Sequence, residues 1–240
     1  MSKHLQYDET RKKQVIQTFS VSNFIIFESQ QLVICNKPFD IQIDGDRPLT
    51  LEKLLKQHRP DIHLRFCHQL DYATSGLIAI AKTPKAAAMA NKLFEKRLVI
   101  KNYLAILSGH LKKSAIVTEG IAKHPEQRNR MQLCNKRGKA AKTIIKPLKI
   151  GTWKNREVTK VLLQPVSGRR HQLRLHCSFI GHPIVGDITY AKDADPYRMM
   201  LHSQRLYLPF PEPLQSIDVQ TTDPFIKEQI TPHFDNNRLR

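Results

Sequence analysis

The chain has 240 residues, with 39 Lys and Arg against 21 Asp and Glu, a formal net charge of +18 at pH 7. Its 40% hydrophobic and 25% charged content excludes the disordered and fibrous classes, and the length suits one large domain or two small ones with a real core. No apolar run nears the roughly 18 residues of a membrane span, and residues 1–20 hold no apolar signal-peptide core.

A transit peptide fits poorly as well, because Asp8 and Glu9 interrupt the basic stretch. The cysteines Cys35, Cys67, Cys134 and Cys177 lie far apart with no Cys-x-x-Cys pair. That pattern argues against a disulfide framework or a zinc ribbon and predicts a cytoplasmic protein with reduced thiols.

In chain order, Phe24–Phe27 and Leu32–Cys35 read as two short strands split by a turn at Glu28–Gln31. Leu51, Leu54 and Leu55 fall at helical spacing in the segment Leu51–Gln57. Leu77–Ala81 is an apolar run of strand length. Pro84 suits a helix start, and Ala86–Lys96 is rich in helix formers. Tyr103–Leu107 reads as a strand ended by Ser108-Gly109, with further strands near Ile116–Ala122, Thr143–Leu148 and Val158–Val166.

A helix is expected over Arg169–Ile180, with Leu173, Cys177 and Ile180 on its apolar face and Gly181 as its stop. Leu201–Leu208 is a late strand, and Asp235–Arg240 a frayed tail. Strands that mostly do not alternate with helices predict an α+β fold, one domain with a largely antiparallel sheet.

The charge excess points to a partner carrying many phosphates, a nucleic acid being the commonest. Two polar clusters stand out against it. In His68-Gln69-Leu70-Asp71-Tyr72-Ala73-Thr74-Ser75-Gly76, Asp71 sits in a loop leading into the core, with Thr74, Ser75 and Gly76 available to shape a turn. Its carboxylate can serve as nucleophile or general base, or as a turn-former bonded to backbone amides, and spacing alone favours the turn-former.

In Ser167-Gly168-Arg169-Arg170-His171-Gln172-Leu173-Arg174-Leu175-His176, cations crowd a helix start, where free amides already favour anions. Phosphate binding and a solvated basic face both fit. Arg174 lies beside the apolar face, so it needs a buried carboxylate as partner.

His-Gln-Leu-Asp-x-x-Thr-Ser-Gly-Leu at 68–77 resembles the hallmark motif of the RluA-type RNA pseudouridine synthases. Further segments follow in that family's order. Lys101-Asn102-Tyr103-Leu104-Ala105 resembles its Lys-x-Tyr strand. Gly168–His176, continuing through Gly181-His182-Pro183-Ile184-Val185-Gly186-Asp187, resembles its longest block, and Met200-Leu201-His202-Ser203 its late Leu-His-Ala segment. The resemblance spans about residues 24 to 210.

It implies a mixed, mainly antiparallel sheet around a central catalytic cleft, with a catalytic domain over 24–220, an N-terminal extension over 1–23 and a C-terminal tail over 221–240. It also implies conversion of uridine to pseudouridine in a tRNA or an rRNA. The isomerisation has no net redox or hydrolytic step, so no cofactor or metal is expected, and a monomer is expected. Asp71 matches the family's nucleophilic aspartate, Arg174 the basic residue that pairs with it, and Tyr103 the active-site tyrosine. An attacking carboxylate must be ionised, and a neighbouring cation favours that form. Leu201 is expected to pack under the base, with Met200 as its rival, while Gln69, Arg169, Arg170 and His171 are expected to contact the RNA.

Two departures from the family pattern stand out. Gln69 replaces the arginine that most members insert into the RNA, and Gln brings no charge and stacks less well. Asn36-Lys37-Pro38-Phe39-Asp40 lacks the usual glycine of the Lys-Pro motif, so a different loop path is expected. The stretch Lys123–Lys142, with Arg128-Asn129-Arg130 and Lys136-Arg137-Gly138-Lys139, reads equally as a phosphate-gripping loop or a solvated hairpin.

A rival reading is an RNA-binding chaperone of the same fold. A second is a metal-dependent hydrolase using His171, His176, His182 and Asp187. Five residues of straight helix set His171 and His176 about 140° apart, a poor start for one metal.

Overall fold

Strand β4, Ser75–Ala81, is buried along its whole length, as expected of an unbroken apolar run in the middle of a sheet. Its side chains alternate between two cores. Ile78 and Ile80 join one cluster with Val33, Cys35 and Ile106, while Leu77, Ala79 and Ala81 join another with Leu32, Ile34 and Leu206. Each fully buried Leu or Ile of this kind contributes about 1.5–3 kcal/mol.

The computed structural model describes residues 24–193, 198–212, 215–226 and 230–232. The expected N-terminal extension and the end Asp235–Arg240 lie outside them. Ahead of β4 come β1 (Ile25–Glu28), β2 (Leu32–Lys37), helix α1 (Leu51–His58) and the short β3 (Arg65–Phe66). After it come helix α2 (Pro84–Glu95), β5 (Ile100–Ser108), β6 (Ala115–Val117), β7 (Ile121–Lys123), β8 (Met131–Leu133), β9 (Thr143–Trp153) and β10 (Arg156–Pro165). The chain closes with helix α3 (Gln172–Phe179), β11 (Leu201–Leu208), β12 (Ile217–Gln220) and β13 (Thr231–Pro232).

The main sheet runs β1-β2-β4-β11-β5-β10-β9-β13, with β12 beside β11, β3 beside β4 and β6 beside β9. Its pairs are antiparallel except β4 with β11, joined in parallel through His202 with Ser75 and Ser203 with Gly76. This is the mixed, mainly antiparallel α+β sheet expected. At the parallel seam Gly76 has φ +111°, and a Cβ there would run into the Ser203 backbone. Gly76 is therefore required by close strand approach, not by a turn.

The helices divide between the faces. On one side lie Leu51, Leu54 and Leu55 of α1 with Leu173 and Cys177 of α3. On the other lie Ala86, Ala90 and Leu93 of α2, a helix capped by Thr83 and started by Pro84.

Several expectations shift in detail. The strand expected near Ile116–Ala122 is two strands, β6 and β7, broken at Thr118–Gly120. Ser75 and Gly76 already belong to β4, so the turn is Asp71–Thr74, closed by the Thr74 amide donating to the Asp71 carbonyl at 3.0 Å. Within 221–240, Phe225 and Ile230 are buried and β13 pairs with β9.

Helix α3 begins three residues later than expected. The buried Gln172 side chain accepts from Ser167 Oγ at 2.7 Å and from the Arg169 amide at 3.0 Å. It also donates to the Lys142 carbonyl and Thr143 Oγ1. These bonds hold Ser167–His171 as a turn, with His171 left-handed at φ 57°. At the other end Gly181, at φ +78°, closes the helix, and the His182 amide donates to Cys177 O.

Candidate active site

The turn before β4, the middle of β5, the start of α3 and the start of β11 converge on a cleft of about 1220 Å³. Asp71, Tyr103, Arg174 and Leu201 line it together, as do Gln69, Arg169, Arg170 and His171. All eight expected site residues thus face one cavity. Met200, the rival of Leu201, is fully buried and does not line it.

Asp71 keeps 20% of its side chain exposed, which leaves its carboxylate reachable from the cleft. Arg174 Nη1 donates to Asp71 Oδ2 at 3.3 Å. The tighter partner is Asp187: Arg174 Nε and Nη2 each donate to its carboxylate at 2.8 Å. The Asp187 side chain is 1% exposed, and its Oδ1 also accepts the Thr189 and Tyr190 amides. Burial opposes the Arg174 charge, but the Asp187 and Asp71 carboxylates outweigh it and hold the guanidinium above its ordinary pKa.

Arg174 therefore has two carboxylate partners, the buried Asp187 and the cleft-facing Asp71. Bidentate pairing to Asp187 fixes the plane of the guanidinium, leaving Nη1 to present a charge to Asp71. Sequence reasoning missed Asp187 as this partner. The signal was present, since Gly186-Asp187 closes the same motif block that contains Arg174.

His171 comes within 3.9 Å of Asp71 through Nε2. Its Nδ1 lies 2.7 Å from the Tyr190 hydroxyl. Burial lowers the His171 pKa, with Asp71 partly opposing. Tyr190, also missed, ties the site to the basic hairpin. Its hydroxyl accepts the Met131 amide of β8 at 3.0 Å, and its ring lies 5.0 Å from the Arg174 guanidinium and 5.4 Å from that of Arg130. Arg169 Nε and Arg170 Nη2 donate to the Ala140 and Asn129 carbonyls, so both arginines bridge the cleft to the segment 123–142.

Tyr103 is 8% exposed. Burial pushes its phenol up to about 12, so it stays protonated at neutral pH. His68 accepts the Ala79 amide at Nε2 and stacks at 4.8 Å on Phe94. Burial lowers its pKa to about 3, which leaves a neutral ring that pins the Asp71 loop to β4.

Lys37 does the same from the other side. Fully buried, its Nζ donates to the carbonyls of Pro38, Ile41 and Tyr72, the last belonging to the Asp71 turn. Burial lowers Lys37 to about 7, with Asp40 and Asp71 opposing. In the segment that lacks the family's glycine, Asp40 itself adopts φ 56°, a conformation Asp tolerates better than most residues.

The residues of the metal-site reading are engaged separately. His176 contacts Thr143 Oγ1 and the Glu119 carbonyl, His182 contacts the Ser108 carbonyl, and Asp187 holds Arg174. Among the described residues no group of three or more His, Cys, Asp or Glu is placed to hold a metal ion. Among the same residues no helix is long and apolar enough to cross a membrane.

A reachable carboxylate fixed beside a buried arginine, in a cleft lined by cations, suits a reaction on a polyanion. Comparison with known proteins makes the class specific. The model of the RNA pseudouridylate synthase family matches residues 31–179. The chain is 37% identical over 229 residues to RNA pseudouridylate synthase domain-containing protein 1 of Homo sapiens, covering 86% of this chain and 73% of that protein.

It is 34% identical over 226 residues to the dual-specificity RNA pseudouridine synthase RluA of Vibrio vulnificus, covering 89% and 90%. The solved structure of human RNA pseudouridylate synthase domain containing 1 superposes with a TM-score of 0.78 at 38% identity, over 87% of each chain. The chain belongs to the RNA pseudouridylate synthase family, in its RluA-type branch, and is an isomerase acting on RNA.

Proposed function

We propose that this isomerase converts uridine to pseudouridine in a tRNA or an rRNA, with Asp71 as the nucleophile. The observation that carries the assignment is the Asp71–Arg174–Asp187 chain, which sets an ionic partner beside the one carboxylate of the three groups that opens to the cleft. Asp71 forms a bond to the nucleotide as the carbon–nitrogen bond to uracil breaks. The freed base turns, a carbon–carbon bond forms as Asp71 is released, and the proton on that base carbon leaves to solvent.

Tyr103 packs on the base from β5, where its neutral phenol can exchange a proton at the new bond, and Leu201 packs beneath it. Gln69 is exposed at the mouth of the cleft, where its amide can hydrogen-bond the base left unpaired. Removing a uridine from its stack costs a few kcal/mol, which phosphate contacts to Arg169, Arg170 and the 123–142 segment offset.

The choice of tRNA or rRNA rests on relatives, since similar proteins are named as ribosomal large subunit and dual-specificity synthases. Cytoplasmic action by a monomer completes the proposal. Free cysteines support the cytoplasmic setting. Transcriptome-wide pseudouridine mapping tests the target. A site in tRNA or rRNA should vanish on gene deletion and return with the wild-type gene but not with Asp71→Asn. A site confined to other RNA would overturn the substrate class.

A further inference from the structure

The wall of the cleft beyond Tyr103 carries charge that the isomerisation does not use. Lys101 and Tyr103 both lie on β5 two residues apart, hence on one face and about 7 Å apart along the strand. Lys101 is partly buried. Its Nζ donates to the Ser167 carbonyl at 3.3 Å and lies 6.0 Å from the Phe94 ring. Gly168 beside it offers no side chain to cover it. Arg97, held at φ 59° just past α2, lines the same wall.

Both side chains line the cleft, and burial, with the Arg97 charge adding to it, lowers Lys101 to about 8. Among the described residues neither has an ion-pair partner, and Glu95, exposed on the same rim, pairs with neither. Holding a half-buried ammonium next to a guanidinium without a carboxylate is unfavourable, unless a ligand supplies the anion.

We propose that Lys101 and Arg97 form a phosphate subsite that holds the backbone phosphodiester flanking the flipped uridine. The proposal rests on the isomerase reading, because a base seated on Tyr103 places a neighbouring phosphate within reach of Lys101. Phe94 and the bare edge of Gly168 leave the ammonium open on the side of the cleft. The subsite fixes where the strand leaves the pocket and is independent of base identity.

The test uses the full chain with Asp71→Asn, which prevents turnover, and a fluorescein-labelled oligouridylate as probe. Affinity is measured between about 50 and 200 mM salt, where each phosphate contact of a single strand contributes about 0.7 to the slope of log K against log salt. Lys101→Met should lower the slope by about 0.7, Arg97→Gln should do the same, and Lys101→Arg should keep it.

Lys113→Met, an exposed change outside the cleft, should leave the slope unaltered. An unchanged slope in Lys101→Met and Arg97→Gln would overturn the subsite, as would an equal drop in Lys113→Met. Tritium release by the wild-type chain from 5-tritiated uridine in total RNA separates the two readings. Its absence sinks the isomerase reading, whereas normal release with an unmoved slope sinks the subsite alone.

Discussion

At the Asp71 end of the cleft Arg174 is matched by two carboxylates, whereas at the Lys101 end two cations line the wall and, among the described residues, neither forms an ion pair with a carboxylate. The first end is complete before substrate arrives. Asp187 is sealed from water and spends both oxygens on Arg174 and on backbone amides, so the guanidinium cannot reorient when RNA binds. Such preorganisation puts the cost of alignment into folding rather than into the reaction. The second end is electrostatically unfinished and is completed by the substrate's phosphate. The contrast teaches that one cleft can separate the groups that perform chemistry from those that hold the strand.

The largest effect that would break this contrast is the loss of the shared cation. Arg174→Met leaves Asp187 buried and unpaired, and should lower unfolding free energy by about 3–5 kcal/mol, measured by urea titration. A loss under about 1 kcal/mol would mean the pair is not held as described. Asp187→Asn keeps the shape but removes the charge, and should cost about 1.5–3 kcal/mol through its weakened bonds to Arg174. It should also cut the rate more than the affinity, because Asp71 loses a fixed neighbour while the RNA contacts remain.

At the other end the prediction concerns pH. With burial and Arg97 lowering Lys101 to about 8, the free chain loses this proton as pH rises through that value. A bound phosphate requires the proton, so binding above pH 8 must take one up. Oligouridylate affinity should therefore fall toward about tenfold per pH unit above pH 8, and Lys101→Arg should flatten the profile. A profile equally steep in that variant would assign the titration elsewhere.

The smallest effect lies between the two ends. Tyr190→Phe removes the hydroxyl that joins His171 to Met131 and should cost about 1 kcal/mol, while leaving the ring over Arg174 in place.

Much of this was legible in the chain. Apolar runs located β2, β4 and the middle of β5, because strand segments buried on both faces need no periodicity to announce themselves, whereas β10 and β11 carry polar, part-exposed positions between their buried ones. The short β3, β8, β12 and β13 are held by their partner strands and left no such mark. The start of α3 was misplaced because the Gln172 side chain, a tertiary feature, captures the preceding turn.

Asp71, Tyr103 and Arg174 were found through motif resemblance, and spacing alone would have left Asp71 a turn-former. In the structure the Asp71 backbone makes the turn and its side chain meets Arg174. The parts played by Tyr190, Lys37 and Lys101 depend on which distant residues fold against them, and no local pattern carries that information, whereas Asp187 was marked by its place in the motif block that holds Arg174.

The central claim is that Asp71 forms and breaks the covalent bond during isomerisation. Tritium release from 5-tritiated uridine in RNA tests it, with wild-type protein and Asp71→Asn compared at equal binding. The account predicts robust release by the wild type and a loss of more than about 10⁴-fold in the variant, with affinity for the RNA retained. Release by Asp71→Asn within about tenfold of the wild type would contradict it.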